Sequence, residues 1–293
     1  DSFGHVLDFF GGQRDLRDKA IRVLHNLSFI EDPTRLFRAV RFEQRLGFRI
    51  GRQTERLMHS AVQLKLVRRV GGVRVLNELK LILGEAQIIP ALERLDQFGL
   101  LQIIDSRIRF HAEVKKRLMA AERAASWYDL LYTGRPCRRW LLFLLCLVDT
   151  LPAGAARRMT NWFSMPPEER KVVLEEVPQA RKLLRTIRQR LRRESTPANS
   201  DIYRWFEPLQ IEVILYLMAR TEDDRLRQWI SLYMTSLRQQ RTLLNGHDLI
   251  QLGLSPGPEF QRILRELLDA RLDRRVQTRE EEMAFVQEKF LSA

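Results

Sequence analysis

The chain has 293 residues, 45% apolar and 30% charged, with 50 Lys and Arg against 37 Asp and Glu and a formal net charge of +13. This is the composition of a soluble globular protein long enough for two or more packed units. Its positive field suits a polyanionic partner, nucleic acid first, although a ribosomal or membrane-surface protein shares the pattern. Cys137 and Cys146 form no CxxC pair and cannot make a zinc site by themselves. The longest apolar run, Trp140–Val148, has nine residues, too short to cross a bilayer. No membrane association and a reduced, cytoplasmic setting are expected.

Along the chain, "DSFGHVLDFF" shows no signal-peptide pattern and no initiator Met, so an origin inside a larger protein is expected. His5–Phe10 and Ala20–His25 read as strands, with Gly11 and Gly12 turning the chain sharply between them. Such a hairpin buries little, so the remaining strands of its sheet are expected upstream. After Asn26 apolar residues recur three and four apart, and the fold class expected is mainly α, multi-helical. Breaks fall at "GEAQIIP", "YTGRPC", "TLPAGA", "SMPPEE" and "ESTPANSD", the last being the linker candidate. It follows "RKLLRTIRQRLRR", Arg181–Arg193, with seven basic residues and no acid.

The segment "SFIEDPTRLFRAVRFEQRLGF", Ser28–Phe48, sets Glu31 and Asp32 directly before Arg35, Arg38, Arg41 and Arg45. On a helix Arg38, Arg41 and Arg45 fall within about 60° of one another. Leu36, Phe37 and Val40 lie on the opposite side, and Gly47 fits a left-handed C-cap. Asp32 followed by Pro33 makes a good helix start; Ser28 with Glu31 makes a second one, a capping box. A start between the two frees the Asp32 carboxylate to point outward. Asp32 and Arg35, three apart, then project together. A carboxylate accepts hydrogen bonds and a guanidinium donates them. Side by side they match a base edge offering an amino group beside a ring nitrogen, as cytosine and adenine do. Uracil and guanine would set a carbonyl against the carboxylate. Arg38 and Arg41 are placed to meet phosphates.

These motifs resemble the class II tRNA nucleotidyltransferase and poly(A) polymerase family. Its "DPFGGxxDL" hinge is matched by Asp8, Gly11, Gly12, Asp15 and Leu16, with Phe9 in place of proline. Its "EDxxR" is matched by Glu31, Asp32 and Arg35, and "RAVRF" gives its "RAxRF". "VGGVRVLNELKLIL" is similar to its "ERxxxEL" pattern through Arg74, Glu78 and Leu79, with Val73 where the acid would stand. "TPANSDIYRWFEPLQIEVILYLMAR" and "NGHDLIQLGLSPGPEFQRILRELL" resemble the body and tail of bacterial CCA-adding enzymes.

The resemblance implies a division into the end of a nucleotidyltransferase head (1–26), a base-recognising neck (27–110), a helical body (111–194) and a tRNA-binding body and tail (195–293). It implies template-independent addition of C and/or A to tRNA 3′ ends, with the tRNA and an NTP as partners and ATP and possibly CTP as substrates. The nucleotide-binding residues would be Glu31, Asp32, Arg35, Arg38, Arg41, Arg74 and Glu78. Phosphoryl transfer needs Mg²⁺ held by carboxylates, which family members carry in the head before the hinge. This chain alone is therefore expected to be inactive. Arg181, Lys182, Arg185, Arg188, Arg190, Arg192 and Arg193 form a candidate phosphate track, and Lys115, Lys116 and Arg117 a second. The five tryptophans are expected at helix junctions. A poly(A) polymerase of the same family and a non-catalytic helical RNA-binding module are the alternatives.

Overall fold

Proline and glycine set the helix edges. In a computed structural model, α-helices α1 (Gly12–Asp18), α2 (Ser28–Glu31), α3 (Arg35–Leu46) and α4 (Arg52–Gln63) are followed by α5 (Gly72–Leu83), α6 (Ile88–Gln97) and α7 (Leu100–Ile104). Then come α8 (Ala112–Asp129), α9 (Arg139–Leu147), α10 (Ala153–Trp162), α11 (Pro167–Lys171) and α12 (Val177–Arg192). The structure describes residues 4, 7–192 and 196–291, and the side chains of all of these except 190–192. The chain divides into two compact units, Asp1–Pro178 and Gln179–Ala293.

The mainly helical expectation holds, but the hairpin does not. Leu7–Phe10 form no strand, and the "GGQRDLRD" stretch is helix α1 rather than a turn. Asp8 is the reason. Its Oδ1 accepts from the amides of Phe10 (3.3 Å) and Gly12 (2.8 Å), and its Oδ2 from Gln13 (2.7 Å), satisfying the free amides of a helix start. Those amide hydrogen bonds, Gln13 first, hold its carboxyl below the ordinary aspartate value. Gly11 sits at φ 75°, a conformation that costs glycine little. Of the second expected strand only β1 (Ala20–Ile21) forms, and it pairs in parallel with β2 (Arg49–Ile50). The amides of Arg49 and Gly51 donate to the carbonyls of Lys19 and Ile21 at 2.9 and 3.0 Å.

In the first unit α3 packs on α5 and α6, and α5 on α9, which also lies along α8. The apolar run Trp140–Val148 falls on α9, buried from Leu141 to Leu147. Gly72 lets α5 approach α10 backbone to backbone. A Cβ there would stand 2.0 Å from the Trp162 carbonyl oxygen. Beyond α11 a π turn, Val172–Glu176, leads into α12. Pro178 has no N–H for an α-helical bond, and the Val177 amide reaches back to the Val172 carbonyl instead.

The second unit holds the rest of α12, then α13 (Asn199–Phe206), α14 (Ile211–Arg220), α15 (Asp224–Thr235), α16 (Gly246–Gln251), α17 (Pro258–Leu272) and α18 (Arg279–Val286). The "NGHD" of the tail is a capping box. The Asn245 side chain accepts from the amides of His247 (2.8 Å) and Asp248 (3.4 Å), and Asp248 Oδ2 accepts from the Asn245 amide (2.8 Å). Leu249, Ile263, Leu267 and Val286 form the core beneath it. Glu282, fully buried, accepts from the amides of Leu243 and Leu244 at 2.8 and 2.9 Å and pairs with Arg271 at 3.0 Å. A buried carboxylate is tolerable only with such partners.

Candidate functional site

Helix α2 begins at Ser28, but with Leu27 as its N-cap and no capping box, and Asp32 does not start a helix. Helix α2 ends at Glu31, Asp32 is extended at φ −140° and ψ 92°, and α3 begins at Arg35. Asp32 Oδ1 accepts from the Thr34 amide at 3.1 Å and the Thr34 hydroxyl at 2.6 Å, an Asx-type turn. Its Oδ2 accepts from the Arg74 guanidinium at 2.9 Å. Burial pushes the Asp32 carboxyl upward, but the Thr34 hydrogen bonds and the Arg74 charge outweigh it and hold the group below the ordinary value. Asp32 is thus a committed acceptor at neutral pH.

Arg35 is held by other partners. Its guanidinium donates to the Ser28 hydroxyl at 2.7 Å and carbonyl at 3.2 Å, and lies 3.5 Å from Glu31. Glu31 is half exposed and also meets His25 at 3.3 Å. The structure therefore brings Arg74, from α5, onto the Asp32 carboxylate, and ties Arg35 to the end of α2. Val73 is exposed at the position where an acid was expected.

Arg38, Arg41 and Arg45 share one face of α3 as read, and that face closes on acids. Arg41 reaches Glu78 at 3.5 Å and Glu85 at 3.8 Å; Arg38 lies 4.0 Å from Glu78 and Arg45 3.9 Å from Glu85. Arg41 is largely buried, its side chain 10% exposed. On the other side of α3, Glu43 takes Arg94 at 2.9 Å and the Ile50 amide at 3.2 Å, fastening β2 to the helices.

At the hinge, Asp15 and Asp18 both bind Arg22, Asp18 at 2.8 Å, which anchors α1 to β1. Among the described residues no group of three or more His, Cys, Asp or Glu side chains could hold a metal ion.

On α12, Ala180, Leu184 and Ile187 face the core, while Lys182, Arg185 and Arg188 are exposed. Among the described residues no carboxylate pairs with those three cations. Arg181 is half-buried and donates to the Tyr216 hydroxyl at 3.1 Å. The side chains of Arg190 and Arg192, and Arg193 entirely, lie outside the described residues. Of the second basic candidate, Lys115 and Lys116 are exposed, but Arg117 turns inward to the Cys146 carbonyl (3.0 Å) and Asp149 (3.1 Å). All five tryptophans are half-buried; Trp205 meets Trp229 at 5.7 Å and Trp140 lies under Lys80 at 4.0 Å.

Sequence reasoning missed Thr34, Glu85 and Gly72, and read Ser28 as a cap rather than as the partner of Arg35. Thr34 was findable as the residue two after an aspartate at a helix start, and Gly72 as the second of a glycine pair opening a helix. The Arg35 contact of Ser28 and the role of Glu85 carry no local signal.

No protein-family profile matches the chain. A curated relative, the A-adding tRNA nucleotidyltransferase of Geobacter sulfurreducens, is 40% identical over 97% of this chain and 32% of its own length. The solved structure of a tRNA-processing enzyme with CTP is 31% identical, with TM-score 0.71 over 92% of this chain and 70% of that one. The chain belongs to the class II CCA- and A-adding tRNA nucleotidyltransferase family. The Thermotoga maritima CCA-adding enzyme complexed with tRNA superposes with TM-score 0.75 at 27% identity, over 96% of this chain and 67% of that one. The chain spans about a third of the length of the Geobacter relative. Among the described residues no helix is long and apolar enough to cross a membrane.

Proposed function

We propose that this chain is the nucleotide-selecting and RNA-holding part of an enzyme that adds nucleotides to tRNA 3′ ends without a template. The name of the 40% identical relative favours A as the nucleotide added; C followed by A is the wider form of the same reading. The observation that carries it is the state of Asp32: ionised, anchored through Oδ1 to Thr34, with Oδ2 on a side chain 57% exposed, Arg74. On base binding Oδ2 exchanges Arg74 for the base amino group, while Oδ1 stays in its turn and keeps the carboxylate aimed. Arg35, 41% exposed, donates to the ring nitrogen beside it. Uracil and guanine are refused because their carbonyls face an acceptor that stays ionised. The contacts of Arg38 and Arg41 with Glu78 and Glu85 fix α3, whose first residue is Arg35, against the segment that carries Arg74. Phosphoryl transfer itself is assigned to residues outside this chain, and the exposed cations of α12 to tRNA phosphates.

The test is the whole enzyme on tRNAs lacking the terminal A, or the terminal C and A, with each NTP supplied singly. The wild type incorporates A, or C and A, and refuses G and U. Asp32→Ala loses that discrimination. If Asp32→Ala lowers only the melting temperature and leaves the choice of nucleotide intact, Asp32 is a helix-start residue and the reading fails.

A further inference from the structure

The first unit has a second concave feature that Asp32 and Arg35 do not explain. A cleft of about 440 Å³ opens between the end of α7 and the turn after it, the short turn Leu66–Arg69, and α10. That volume is in the range of small-molecule sites, about 300–1,000 Å³. Three guanidiniums line it, those of Arg68, Arg107 and Arg158, and against them stands Asp105. Arg107 takes both oxygens of Asp105, at 2.7 and 2.8 Å, so the carboxylate is spent within the wall. Arg68 and Arg158 are exposed and make no ion pair among the described residues.

The same cleft has an aromatic floor. Trp162 lines it half-buried, and its ring stacks on the fully buried Phe163 at 5.2 Å and 27°. The Trp162 carbonyl packs closely against Gly72 at the start of α5. Ile103, Ile104 and Met159 complete the apolar wall. Arg68 and Arg158, with no ion pair among the described residues and Arg158 sharing only the longer-range field of Asp105, leave room for an anion; the indole in the same lining offers a face to a flat ring. One ligand class supplies both within a few ångströms, a nucleotide whose base is unstacked from its neighbours.

We infer that the Arg68–Arg158–Trp162 cleft holds one unpaired nucleotide of a bound RNA, its base on Trp162 and its phosphate between Arg68 and Arg158. The inference rests on the reading of the chain as RNA-holding. An acidic peptide meets the two arginines equally well, but it makes no use of the indole floor.

The experiment uses a trinucleotide carrying 4-thiouridine, crosslinked by near-ultraviolet light to the intact 293-residue chain. The expected crosslink lies in the tryptic peptide 159–170, which contains Trp162. In the double variant Arg68→Gln/Arg158→Gln, where loss of the cleavage site makes the corresponding peptide 158–170, the crosslink yield falls at least ~5-fold with the melting temperature unchanged, since both side chains are exposed. In parallel, the slope of log K for tRNA against log salt falls by about 0.7, the value for one single-strand phosphate contact. A crosslink elsewhere, an equal yield in the variant, or displacement by an acidic peptide but not by oligoadenylate overturns the inference. Failure of the wild-type chain to bind tRNA would instead count against the proposed function, and the trinucleotide arm still decides the cleft.

Discussion

Helices α3 and α12 both carry arginines at three- and four-residue spacing above an apolar face, and the fold uses them in opposite ways. On α3 the cations face acids of the same unit: Arg41, largely buried, sits between Glu78 and Glu85, and the exposed Arg38 and Arg45 lie 4.0 and 3.9 Å from them. On α12, Lys182, Arg185 and Arg188 stay exposed and unpaired among the described residues. A repeat tells which face of a helix is polar. Whether that face becomes an internal seam or an open cationic surface is decided by acids far along the chain, 37 positions away for Arg41 and Glu78. Arg41, in the middle of the α3 row, therefore has the most structural work, and the plainer helix has cations with no acid facing them among the described residues.

The seam can be broken from its acidic side. Glu78→Ala leaves the guanidinium of Arg41 largely buried with Glu85 alone, 3.8 Å away, and should cost about 3 kcal/mol, measured by urea denaturation. A loss under about 1 kcal/mol would make α3 no different from a solvated helix. Gly72→Ala should cost about 2 kcal/mol despite the better helix propensity of alanine, because its Cβ would meet the Trp162 carbonyl at 2.0 Å. Asp32→Asn should cost about 1 kcal/mol at pH 7 by weakening a charge-assisted hydrogen bond. The folded Asp32 carboxyl titrates below its unfolded value, so its stabilisation is present above that unfolded value, about 3.9, and is lost as pH falls through the folded one. The gap between wild type and variant should therefore close in melts taken below about pH 4. Arg185→Ala, on the open helix, should stay within about 0.5 kcal/mol of wild type.

Helix edges were legible because prolines and glycines act locally: α10 begins directly after "TLP" and α11 at Pro167. The motif around Asp32 was legible as chemistry but not as geometry. Its turn with Thr34 is local and could be read; its partner Arg74 stands 42 positions away and could not. The N-terminal error has the same origin. Asp8 converts a glycine turn into a capped helix through contacts four and five residues away, while the partner of Ala20–Ile21 is supplied only by Arg49–Ile50. A two-residue parallel pair leaves no alternation to detect. The same holds for the Arg68–Arg158 cleft, whose residues come from three separated segments.

The direct test of the difference between the two helices is the salt dependence of tRNA binding by the wild-type chain and by the triple variant Lys182→Gln/Arg185→Gln/Arg188→Gln. If the cations of α12 are the ones left for RNA, the slope of log K against log salt falls by about 2.7, at about 0.9 per duplex phosphate contact, with the melting temperature unmoved. An unchanged slope would contradict the assignment and leave those charges as a solvated face.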